Sequence, residues 1–139
     1  MPLGILVALV TGVAIGVQVT IIGRTSARVH PLAISLALQL SGVLVGFAWV
    51  AWSRSWPGVA EVARLWWWIP LGLVGWVVVG ALGFSSARLG TGATLALAIT
   101  AQVTTGLLLD RSSGALELGP SQLTGAVLLV AGAALVVWR

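Results

Sequence analysis

The sequence predicts an all-α integral membrane protein in which five helices cross the bilayer. Three observations carry this. Hydrophobic residues fill 59% of the 139 positions, before 18 glycines are counted. Mean hydropathy is +1.11. Only 7% of residues are charged, seven arginines against three acids with no lysine, where a soluble domain carries roughly 25%. So few charges cannot cover a water-facing surface, which excludes a soluble enzyme. The high hydrophobicity likewise excludes a disordered chain.

A hydrocarbon core about 30 Å thick takes about 20 apolar helical residues to cross. Five stretches qualify, at 3–22, 32–52, 66–84, 91–109 and 121–138, and they form one domain over 1–139. The first lacks a basic leader and outruns the apolar core of a signal peptide, so a retained helix is expected. It breaks between Gly23-Arg24 and His30-Pro31. Trp49, Trp52 and Trp56 end the second span, and Trp66, Trp67 and Trp68 begin the third at the same membrane face. Trp138 marks the opposite face, and all are aromatic-belt positions. Trp76 alone falls near the middle of a span. Ser85-Ser86-Ala87-Arg88 separates the third and fourth spans by so little that a tight hairpin is expected, and a polar stretch from Asp110 to Pro120 precedes the fifth.

The net charge of +4 is not a nucleic-acid footprint, because the arginines are scattered singly between apolar runs and form no stripe. There the head groups snorkel to the membrane surface. With no cysteine, one histidine (His30) and three acids, the chain has almost nothing from which to build a metal site, and no cofactor is expected. Partners are therefore the lipid bilayer, a second copy and a small solute.

Let face A be the side of the amino terminus. Arg54, Arg64 and Arg111 then fall on A, and Arg24, Arg28, Arg88 and Arg139 on B. An excess of one arginine, offset by the terminal amine, gives the positive-inside rule no clear orientation to impose. Either one loop dominates, or copies insert both ways and pair antiparallel. An odd span count suits the second alternative, since two such units then form an inverted repeat.

Glycine marks close helix approach. The pairs Gly12/Gly16 and Gly42/Gly46 stand four residues apart and Gly125/Gly132 one heptad apart, while the third span carries Gly72, Gly75, Gly80 and Gly83. Small residues let helix backbones meet in lipid, where no hydrophobic drive joins them. The sequence leaves open whether each contact is within or between protomers.

Polar side chains inside the bilayer mark function. No acid, arginine or histidine falls within a span core; Gln18, Gln39 and Gln102 do. An amide offers two donors and two acceptors, which suits a neutral or zwitterionic solute. The alternative role is interhelical bridging. Trp76 is open between lipid contact, packing and a cavity wall. Asp110 is either an interfacial pair or cap, or a coupling and gating group; Glu61 and Glu117 read as solvated loop charges.

Trp66-Trp67-Trp68-Ile69-Pro70-Leu71-Gly72-Leu73-Val74-Gly75, then Leu89-Gly90-Thr91-Gly92-Ala93-Thr94, resembles the third-to-fourth span hairpin of the YdcZ-like family in the drug/metabolite transporter (DMT) superfamily. Ala101-Gln102-Val103-Thr104-Thr105-Gly106-Leu107-Leu108-Leu109-Asp110 resembles its glutamine-bearing fourth span, and Gly16-Val17-Gln18 its first. Gln39 falls where members often carry an amide. The likeness spans essentially the whole chain. It departs in lacking an asparagine at 19–22 and in placing Arg111-Ser112-Ser113 after the aspartate. The resemblance implies a bacterial inner-membrane protein, a DMT-like half that pairs into a ten-helix assembly. The expected function is solute export by alternating access as an antiparallel homodimer. A small dual-topology channel and a non-transporting helper subunit are the alternatives, and an enzyme is not expected.

Overall fold

A computed structural model describes residues 2–114 and 119–138. Glu117 and Arg139 lie outside the described residues. Within them the chain is entirely helical: α1 (Pro2–Ser26), α2 (Pro31–Ser53), α3 (Trp56–Ala63), α4 (Trp68–Leu89), α5 (Thr91–Ser112) and α6 (Pro120–Val137). All but α3 are long and apolar enough to cross a membrane, in agreement with the five predicted spans.

The helices extend past the predicted spans. α1 runs on to Ser26, α4 to Leu89 and α5 to Ser112. Counting apolar residues finds the hydrocarbon core, but a helix has no reason to stop where its side chains become polar. Thr25 Oγ1 donates to the Ile21 carbonyl (2.8 Å) and Ser112 Oγ to that of Leu109 (2.8 Å), keeping these last turns closed. At 1.5 Å per residue, α1 is about 37 Å long, so its end reaches the headgroup layer.

The aromatic belt also shifts. Trp66 and Trp67 stand ahead of α4, and Trp56 opens α3 instead of closing the second span. α2 ends at Arg54, whose φ of 54° is left-handed. Pro57 then falls in the first turn of α3, where a missing N–H is harmless. Trp56 meets Phe47 edge to face at 5.2 Å between ring centroids, tying the start of α3 to α2.

α4 is the hub: α1, α2 and α5 pack on it, and α6 packs chiefly on α5. α2 runs antiparallel to α4, since Leu32 lies against Gly80, Ser35 against Trp76 and Gln39 against Gly75. Ser35 is fully buried and its Oγ donates to the Trp76 carbonyl at 2.6 Å, while Trp76 Nε1 donates to the Leu32 carbonyl at 3.1 Å. Gly90 alone joins α4 to α5; its φ of 82° and ψ of 156° lie where only glycine is at ease. Ser86 Oγ and Thr91 Oγ1 share a hydrogen bond of 3.0 Å across this joint.

The buried residues cluster at one end. Val19, Ile22, Ser35, Ser86, Ala93, Thr94 and Ala133 all lie in the halves of their helices nearer face B, with Gly23, Gly80 and Gly83 among them. Gly23 meets the Ser86 side chain, and a Cβ on Gly80 would stand 2.5 Å from Leu32 Cδ2. Toward face A the helices are uncovered; α1 is exposed at every position from 3 to 15.

Candidate functional site

α1, α4 and α5 enclose a cleft of about 330 Å³. Among the described residues, Gln18 from α1 and Gln102 from α5 are its only polar side chains; Ile15, Leu82 and Ile99 are among the apolar ones. With the observed helix ends, Gln18 lies about 6 Å and Gln102 about 1 Å from its helix midpoint, by the 1.5 Å rise. Two amides from helices far apart in sequence thus meet one cleft near the middle of their helices. Gln102, Ala98 and Leu82 also wall an adjoining depression that holds Ser85 and Thr94. The Thr94 hydroxyl is buried without a hydrogen-bond partner.

Of the other predicted site residues, Gln39 is not brought here. Its Nε2 faces α4 at Gly75, 3.6 Å from where a Cβ would be. Trp76 does not line the cleft either. Its indole N–H is committed to Leu32, so among the three roles left open for it the geometry favours packing. Asp110 is exposed near the end of α5 and lines neither depression. It sits two turns beyond Gln102, about 12 Å along the helix. Glu61 is exposed on α3.

The glycine motifs divide sharply. A Cβ added at Gly12, Gly42, Gly46, Gly125 or Gly132 would meet nothing within 4 Å, and at Gly16 only Leu95 Cδ1 at 4.0 Å. Close contacts within the protomer use Gly23, Gly80 and Gly83. Sequence reasoning passed over Gly23 as loop. The available signal was the spacing Gly80, Gly83, Ser86, which places three small residues in one i, i+3 row on α4.

In chemical terms the described residues of the cleft offer hydrogen bonds and no group for proton transfer. Gln18 and Gln102 supply hydrogen-bond donors and acceptors but no proton to exchange. Among the described residues no three metal-ligating side chains converge. All but two lining residues are apolar, which suits a solute with a large apolar body and a polar group.

No curated protein and no solved structure shows a significant match to the chain. A family model described as "Putative inner membrane exporter, YdcZ" matches residues 3–135. That description is of an exporter and names no enzymatic activity. A match over nearly the whole length, on five membrane-length helices, settles the assignment: the chain belongs to the YdcZ family and is a multi-pass inner-membrane protein.

Proposed function

We propose that two copies insert in opposite orientations and export a small uncharged solute by alternating access through the Gln18–Gln102 cleft. The convergence of those two amides on one apolar cleft near the middle of their helices carries the reading. Among the described residues no ionisable group lines the cleft, so none of them compensates a charged solute there. This also separates the cleft from a wetted pore, whose wall would be mostly polar.

Pairing is supported by what the protomer leaves bare. Gln18, Gln39 and Gln102 are exposed in the single chain, and an amide facing lipid loses its hydrogen bonds. Gly12, Gly46 and Gly125 lie in the uncovered half toward face A, and Gly42 at the middle of α2. An inverted copy brings its tightly packed half to that level. The near-equal arginine count lets both orientations insert.

Reporters fused to the carboxyl terminus, one active on each side of the membrane, test the pairing: both give signal, and a signal from one side alone refutes dual insertion. A panel of neutral and cationic amphiphiles tests the cleft, with Gln102→Ala as control. Equal stabilisation of the wild type and Gln102→Ala by every binder would remove the cleft from the reading.

A further inference from the structure

The face B end of the protomer carries Arg24, Arg28, His30 and Arg88. The acids among the described residues, Glu61 and Asp110, belong to α3 and the far end of α5, at face A. Arg28 and Arg88, sixty positions apart, border one depression of about 440 Å³ together with His30 and Phe84. Two like charges bordering one hollow repel, and an anion between them relieves this.

The walls are organised before any ligand arrives. The Arg88 guanidinium carbon stacks 3.5 Å over the Phe84 ring. Stacking on a ring face fixes the plane of the fork and leaves its N–H edges free to donate to oxygens. Arg28 sits in a turn closed by its own N–H (2.9 Å) and that of Val29 (3.0 Å), both donating to the Thr25 carbonyl. His30 Nδ1 accepts from the Leu32 N–H at 3.3 Å. That leaves Nε2 as the nitrogen carrying the proton, a third donor at the rim.

Depth and surroundings say what the anion is attached to. Arg88 is in the last turn of α4 and Arg28 just past α1, at the level where these long helices leave the hydrocarbon. Exposed apolar side chains, Val29 and Phe84, line the hollow and offer a surface for acyl chains. The absence of an acid at this end, among the described residues, leaves an ammonium headgroup without a partner. We infer that this depression binds the phosphodiester of an anionic phospholipid, with Arg28 and Arg88 donating to its oxygens.

Purified full-length protein in neutral detergent, titrated with phosphatidylglycerol, phosphatidylcholine or inorganic phosphate and followed by native mass spectrometry and thermal unfolding, tests this. Phosphatidylglycerol is expected to bind about tenfold or more tightly than phosphatidylcholine. Arg28→Gln and Arg88→Gln each lose about that factor, the scale of one charge-assisted hydrogen bond. Arg64→Gln, at the opposite face, keeps full binding and controls for bulk charge. Arg88→Lys keeps the charge without the stacked fork; its intermediate affinity, with wild-type helical content, excludes misfolding as the cause. Unchanged phosphatidylglycerol binding in both glutamine variants, or equal binding of the two lipids, overturns the site. Stabilisation by inorganic phosphate equal to that by phosphatidylglycerol overturns the lipid assignment.

Discussion

Replacing Gly83 by valine and, separately, Gly46 by valine makes the same chemical change in two environments. At Gly83 the first added carbon would stand 2.5 Å from Ile22 Cγ2 and 2.9 Å from Ser26 Oγ. Ordinary van der Waals contact needs roughly 1 Å more. Ile22 is 3% exposed and β-branched, with little rotamer freedom to yield. α1 and α4 must therefore part, and overpacking of this kind costs about 1–3 kcal/mol. The gain in helix propensity from glycine to valine offsets only a few tenths. At Gly46 nothing lies within 4 Å, so the protomer is expected to be unaffected, within about 0.5 kcal/mol. The proposed partner contact is what suffers there. Reversible unfolding in mixed micelles reads the first quantity, and energy transfer between labelled copies in liposomes reads the second. Gly83→Val should lower stability, and Gly46→Val should weaken association with stability kept. A neutral Gly83→Val refutes the packing described for α1 and α4. Unweakened association in Gly46→Val, combined with Gly42→Val, refutes the use of the bare face for pairing.

Three further outcomes follow from the geometry. Gln102→Ala should abolish solute-dependent stabilisation while Gln39→Ala leaves it within about twofold, because only the first lines the cleft; equal losses in a ligand-binding titration would contradict this. Ser35→Ala and Trp76→Phe should each cost about 0.5–1.5 kcal/mol in unfolding, and the double variant less than their sum, since both bonds tie the same two helices. Gly90→Ala should cost about 1–3 kcal/mol, the strain of its backbone region, with no change in cleft affinity once folded; an unchanged unfolding midpoint would count against the one-residue joint.

Much of the fold was legible because lipid imposes a simple length rule on apolar runs. What escaped the sequence is what that rule does not govern. α3 was hidden because Trp56-Pro57-Gly58 reads as a break, although proline in a first turn starts a helix as readily as it stops one. The depth of Gln18, Gln39 and Gln102 follows from counting residues, but the side of the helix each takes is decided by packing. Gly80 admits Leu32 and so turns α2 to place Gln39 against Gly75, away from the cleft. Arg28 and Arg88 read as separate snorkelling charges because nothing in a linear sequence brings positions sixty apart together.

The tight packing confined to one end has a mechanical consequence. Gly90 binds α4 to α5 with a single residue, and Gly23 against Ser86 holds α1 to α4 at the same level. These three helices are therefore joined at face B, while their arms at face A carry no such tie. In a pair of inverted copies the two sets of arms point to opposite sides of the membrane. In the pairing proposed above, spreading of one set of arms at a time would turn the amides to one compartment and then the other, with no bend needed inside any helix.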